Sequence, residues 1–219
     1  EGQDLLHLGL GTSGAATVTL SFYVRSSITG THGGAIRNHD SNTRNFPFTY
    51  TISSANTWER KSITLTLDTS GTWPSDNTLG LQLQFGLGVG TDFSGTADTW
   101  ADGDKNSATG ATTALLSTSS ATWYVTGIQL EVGSIMTPFE HLSFAEYKRK
   151  CLRYYYRYRK TIAYGMFVTT RSWSTTNADG IHSFPTSMRA APTLSIDKTV
   201  NSTNFATQIS VIAITEVEA

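Results

Sequence analysis

The sequence predicts an all-β protein: an antiparallel jelly-roll β-sandwich over residues 1–140, then a smaller β-rich region over 141–219 with one short helix. Three observations carry this. Apolar residues recur at a period of two in several short runs, among them Val18, Leu20, Phe22 and Val24. Gly, Asn, Asp, Ser and Pro punctuate those runs at short intervals, as turns between strands require. After Glu140 the Thr- and Gly-rich texture gives way to a capping signal and a basic, tyrosine-rich stretch.

Taken in order, 17–25 alternates cleanly, with Thr17, Thr19, Ser21, Tyr23 and Arg25 on its outer side. Further strands are expected near 35–38, 48–53 and 62–67. Residues 68–78 are dense in turn formers. Leu79, Leu81, Leu83, Phe85, Leu87 and Val89 form the strictest alternation of all, predicting a strand over 79–89. A long loop follows, with a short strand near 112–116. Residues 123–132 close the sandwich, with Tyr124, Thr126, Ile128, Leu130 and Val132 expected on one face. A jelly roll is favoured over an immunoglobulin-like sandwich because the Cys…Trp…Cys spacing is missing.

Beyond Glu140, Ser143 and Glu146 form a capping box, so a helix is expected over about 144–150. The run CLRYYYRYRK then reads as a strand with Leu152, Tyr154, Tyr156 and Tyr158 on one face, and Arg153, Arg157 and Arg159 with Tyr155 on the other. Strands near 163–170, 180–185, 193–197 and 208–215 complete the reading. A region of this size is small for an independent core and suggests an oligomer.

Net charge is −1, but residues 1–140 carry 6 Lys/Arg against 12 Asp/Glu, and residues 141–219 carry 10 against 5. Opposite halves of this kind attract one another or a neighbouring subunit. Arg153, Tyr154, Tyr155, Tyr156 and Arg157 are therefore expected at an oligomer interface rather than on nucleic acid. The single cysteine, Cys151, excludes an internal disulfide framework. No apolar run reaches the roughly 18–20 residues of a membrane span. The chain starts at Glu1 without a methionine, which reads as a fragment or a processed product.

Catalytic motifs are missing: there is no HExxH, GxSxG, Walker A or CxxC. Gly9 to Gly14 matches GxGxxG, but a strand follows it, so no helix N-terminus cradles a phosphate. Asp102, Asp104 and Asn106 begin like a calcium loop, yet Ser107 and Thr113 stand where that loop needs Gly and Glu. A solvated acidic loop is expected there, with calcium as the alternative. His32 and His39 are expected on the surface, and Trp58 and Trp123 in the core. Trp73 and Trp100 fall in loops, where an exposed ring stacks on a sugar face or packs over a sandwich edge. With the loop carboxylates Asp98, Asp102 and Asp104 they form the candidate glycan site; no catalytic residue and no metal ligand is assigned.

The string YVTGIQLEVGSIMTPFEHLSFAEYKRKCLRYYYRY resembles a pattern of bacteriophage tail-fibre and virion-surface proteins. Its carriers are Gln129, Leu130, Glu131 and Gly133, then Thr137, Pro138, Phe139 and Glu140, then Cys151, Arg153, Tyr154 and Tyr155. FYVRSSITGTHGGAIRN, TWERKSITLTLDTSGTWPSDN, LGLQLQFGLGVG and FPTSMRAAPTLSI extend the likeness over nearly the whole chain. The resemblance implies a jelly roll similar to carbohydrate-binding modules in a homotrimeric, non-enzymatic virion appendage. Its partners would be other virion proteins and a host-surface glycan. Thr126-Gly127 stand where related modules carry an Asp pair for a structural calcium, a departure from the pattern.

Overall fold

The computed structural model describes residues 1–38, 43–157, 170–172 and 178–193. Contacts divide the chain into two compact units, Glu1–Glu140 and His141–Ala219. Among the described residues the fold is all-β, with antiparallel sheets and one short helix.

In the first unit, β1 (Thr17–Ser26) lies between β4 (Glu59–Thr66) and β9 (Trp123–Val132) in one sheet. The second sheet runs in the order β5 (Gln82–Gly86), β2 (Gly30–Arg37), β3 (Arg44–Ile52), β7 (Ala101–Asp102). The only parallel pairing among the described strands joins the two-residue β6 (Ser94–Gly95) and β8 (Ser107–Ala108). Period-two alternation turns Val18, Leu20, Phe22 and Val24 of β1 toward Phe46, Phe48, Tyr50 and Ile52 of β3, and all eight are buried. Phe22 meets Tyr50 and Phe85 edge-on at 5.2 and 5.1 Å, tying the sheets together.

Several expectations are corrected. The strand expected near 35–38 starts earlier, at Gly30, so Gly33 and Gly34 lie inside β2. A Cβ on Gly34 would sit 2.4 Å from the Gln84 carbonyl oxygen and 2.6 Å from the Phe48 ring, so close strand packing demands glycine. The 79–89 strand shortens to β5, and Leu79 is exposed. Gly88 at φ +148° takes the chain out of extended geometry beyond it. The strand near 112–116 is replaced by a 3₁₀ turn over Leu115–Ser117. Trp58 is exposed rather than core, whereas Trp123 packs against the core and donates its N–H to the Tyr50 hydroxyl at 3.1 Å.

His32 is the clearest departure. It is fully buried on β2, directly opposite Tyr50 on β3, and stacks on that ring at 5.6 Å. Its Nε2 lies 3.2 Å from the Ile28 carbonyl oxygen, while Nδ1 has no partner. Burial lowers its pKa, the bond to Ile28 opposing that shift, so the neutral ring is the one the core accepts. Burial likewise pushes the Tyr50 phenol up to about 12.

β9 does not present one continuous face. Gln129 opposes Ser21 and Thr126 opposes Tyr23, so Gly127 and Ile128 together face Phe22 in a bulge. Gly127 takes φ +57°, where a side chain would be strained. The extra residue shifts the alternation. Trp123 and Val125 point coreward before it and Leu130 after it, which turns Gln129 and Glu131 outward.

Those two side chains hold residues 133–140 as a strap across the outer face of the β4-β1-β9 sheet. The Glu131 carboxylate accepts from Thr137 N at 2.7 Å and Thr137 Oγ1 at 2.6 Å, bonds that hold it below the usual carboxylate range. Gln129 Oε1 accepts from Glu140 N at 2.8 Å. Thr19 donates to the Gly133 carbonyl at 2.7 Å, and Arg60 donates to that of Thr137. Beneath the strap Thr19 and Ser21 are buried although they sit on the outer side of β1. Replacing Glu131 by Ala is expected to speed amide exchange at Thr137 and Glu140 while the core amides of β1 keep their protection. Unchanged exchange at Thr137 would show that the carboxylate does not hold the strap.

In the second unit, α1 spans Phe144–Leu152 behind the expected capping box: Ser143 Oγ accepts from Glu146 N at 3.3 Å, and Glu146 Oε2 from Ser143 N at 3.0 Å. Arg149 and Lys150 occupy its last turn, where cations suit the helix dipole. The helix runs through Cys151 and Leu152 into a turn at Arg153 and Tyr154, so the strand expected to start at 151 is not there. Amides of Tyr154 and Tyr155 bond the Cys151 carbonyl at 3.0 and 3.1 Å, ending the helix where a Tyr/Arg ladder was expected. Tyr154, Tyr155 and Arg157 are exposed. Tyr156 instead stacks on His182 at 5.5 Å and meets Phe184 edge-on at 5.7 Å, so the tyrosines do not share a face. The Arg153 carbonyl accepts from Arg189 N at 3.0 Å. β10 (Thr170–Ser172) and β11 (Ala178–Gly180) pair antiparallel, and 181–185 carries no strand. The expectations over 158–169, 194–197 and 208–215, and at His39, lie outside the described residues. Among those residues no helix is long and apolar enough to cross a membrane.

Candidate functional site at the sandwich edge

Four of the five sequence-predicted site residues come together where β3, β7 and the 68–79 loop meet. Trp73 and Trp100 pack edge to face at 5.7 Å and 88°, and Trp100 rests on Phe46 at 5.4 Å. Both indoles are partly buried with their N–H groups engaged: Trp73 Nε1 donates to the Ser70 carbonyl at 3.2 Å, Trp100 Nε1 to that of Thr66 at 2.9 Å. Asp98 is the exception. It occupies a left-handed turn at φ +59°, is exposed, and lines neither cleft described below.

Two arginines that the sequence reading passed over organise the carboxylates. Arg44, at the start of β3, donates to both oxygens of the buried Asp68 at 2.6 and 2.8 Å and to Asp102 at 3.0 Å. Arg37, buried at the end of β2, donates to Asp104 and to Asn106. Burial works against the charge on Asp68, but the Arg44 and Ser70 hydrogen bonds outweigh it and hold the carboxyl below its ordinary value. The same bond to Asp68 strengthens the hold of Arg44 on its proton. The signal for this network was an arginine near each side of the β2–β3 turn, ahead of an aspartate-rich loop.

The oxygens of Asp102, Asp104 and Asn106 thus meet guanidinium groups, so a calcium ion would have to displace two arginines. Among the described residues no three His, Cys, Asp or Glu side chains gather as metal ligands. Two shallow clefts flank the network. One is lined by Thr43, Arg44, Ser70, Gly71, Asp102 and Asp104, with Gly103; the other by Thr72, Trp73, Pro74, Ser75, Asp76 and Thr78, with Leu79. Trp73 forms an aromatic wall beside fixed hydrogen-bonding groups, an arrangement suited to holding a polar ring. Neither a protein-family model, nor a curated protein, nor a solved structure matches the chain.

Proposed function

We propose that this chain is part of a phage virion appendage, a tail or surface fibre, and that its sandwich binds a host-surface glycan at the Trp73 edge. The observation that carries the binding reading is the partly exposed Trp73 ring, which lines one shallow polar cleft while Arg44 and Asp102 line the other. Aromatic faces stack on the C–H faces of pyranoses while carboxylates and guanidiniums hydrogen-bond the hydroxyls. Asp68, Asp102 and Asp104 are ion-paired acceptors, which suits binding rather than proton transfer, so no enzymatic activity is assigned.

Strand pairing supports the jelly-roll reading. β2 pairs with β3 at the centre, β1 with β4 around it, and β5 and β9 return to β2 and β1. Jelly rolls nest antiparallel pairs in this way. The strong asymmetry of charge between the two halves supports assembly as a homotrimer with other virion proteins. A second reading, a purely structural virion decoration, draws on the fact that both indole N–H groups and the Asp102 and Asp104 carboxylates already have protein partners.

Replacing Trp73 by Ala separates the two. Loss of stacking is expected to weaken binding of bacterial surface polysaccharide by about ten-fold or more, with the unfolding midpoint little changed because the ring sits at the edge. Equal binding by variant and wild type would remove the Trp73 site.

A further inference from the structure

A different surface, on the outer face of the β4-β1-β9 sheet, carries an exposed aromatic row. Arg25 on β1 lies directly opposite Tyr124 on β9. Trp58 precedes Glu59, which pairs with Val24, so it falls beside Arg25 on the other flank. The Arg25 guanidinium lies 5.8 Å from the centre of the Tyr124 ring, and the Trp58 and Tyr124 rings approach to 6.5 Å. Trp58 and Tyr124 are 46% and 49% exposed, which for large rings in one cross-strand row makes a contiguous open aromatic surface.

Hydrogen bonding sets this row apart from the other aromatics. The indole N–H groups of Trp73, Trp100 and Trp123 each donate to a protein oxygen. Among the described residues, the Trp58 N–H, the Tyr124 hydroxyl and the Arg25 guanidinium have no such partner, and Arg25 Nε is enclosed without an acceptor. Arg37 and Arg44, by contrast, face carboxylates. The nearest acid in the register, Glu59, is committed to Lys61 at 2.6 Å and to the amides of Ser53 and Ser54 at 2.9 and 2.8 Å. Arg25 is thus a cation over the Tyr124 ring with no counter-ion, and an enclosed donor lacking an acceptor is costly until one is supplied.

We infer that Trp58, Arg25 and Tyr124 form a platform for an acidic pyranose, a uronic-acid residue of a polysaccharide. The rings take the apolar face of the sugar, and Arg25 takes its carboxylate. Neutral glycans offer the rings a face but leave the charge unpaired, so the site selects the acidic sugar. This assignment does not depend on the Trp73 edge, which belongs to the opposite sheet.

The test titrates the full chain with oligogalacturonate, alginate and hyaluronan oligosaccharides, and with the carboxyl-reduced, neutral form of each. At least one acidic oligosaccharide should bind at least ten-fold more tightly than its neutral form. Trp58→Ala and Tyr124→Phe should weaken binding, the former at least ten-fold. Arg25→Gln should erase the preference for the acidic form while keeping residual neutral binding. Phe93→Ala, at an exposed ring of a 3₁₀ turn outside both sites, should leave this binding unchanged. A thermal melt of each variant within a few degrees of wild type establishes that the sheet is intact. Wild-type protein that binds none of the acidic oligosaccharides, equal affinity for acidic and neutral forms, or a Trp58→Ala variant that binds as wild type would each overturn the proposal.

Discussion

Replacing Asp68 by Ala is expected to destabilise the sandwich by about 3–5 kcal/mol, the usual cost of removing one partner from a buried ion pair. Asp68 is 2% exposed by its side chain and Arg44 14%, so the guanidinium left behind would be largely cut off from water. Asp102 does not replace the lost partner, because its side chain is 86% exposed and its single bond to Arg44 is the weaker, screened kind. Asp68 also accepts from Ser70 N and Oγ, both at 3.2 Å, so the variant frees the turn that carries Trp73. Urea unfolding should show a lower midpoint at an unchanged slope. The sign of the pH effect follows from the lowered pKa. The contribution of Asp68 is fully present above the unfolded value of about 4 and is lost as pH falls through the lower folded value. Asp68→Asn should therefore flatten the acid limb of the stability profile below about pH 4. A midpoint within experimental error of wild type for Asp68→Ala would mean that the pair does not hold the edge.

Phe22→Ala is expected to cost a similar amount, about 3–5 kcal/mol, for a different reason. The ring is fully buried between the sheets and forms edge-to-face contacts with Tyr50 and Phe85, so its removal opens a cavity against both. Phe22→Leu keeps most of the buried apolar surface and should lose much less. Phe93→Ala makes a fair control: that ring is 47% exposed in a 3₁₀ turn, and its loss should fall within about 0.5 kcal/mol. If Phe22→Ala and Phe93→Ala shifted the urea midpoint equally, the account of the core would be wrong.

Local chemistry was the legible part of the sequence. The capping box at Ser143 and Glu146 needs four consecutive residues, and α1 starts there. Alternation in β1 fixed its buried face because each position reports on its own side of a strand. What failed depends on partners far along the chain. His32 reads as a loop residue within SSITGTHGG, yet Tyr50, eighteen positions on, provides the ring that stacks on it in the core. The strand over 123–132 reads as regular, yet Gly127 sits in a bulge opposite Phe22, and that pairing sets the side on which the alternation resumes. The Tyr/Arg run after Cys151 alternates as a strand would, and the helix initiated at Ser143 runs on into it. At the candidate site, Trp73, Trp100, Asp102 and Asp104 were readable as loop residues of the right chemistry. The arginines that orient the carboxylates were not, since an arginine at a strand end is an ordinary surface feature until a buried aspartate faces it.

The Gln129 and Glu131 pair gives the QLExG…TPFE string a physical meaning: two outward side chains, placed by the Gly127 bulge, clamp the segment through which the chain leaves the sandwich. That segment ends at Glu140, where the first compact unit ends.

The most direct test of glycan binding is affinity electrophoresis of the full chain through gels containing bacterial surface polysaccharides, neutral and acidic, beside a Trp58→Ala/Trp73→Ala double variant. Wild-type protein is predicted to be retarded by at least one polysaccharide, and the double variant to migrate as it does in a plain gel. Identical migration of the two proteins in every gel would contradict a glycan-binding role.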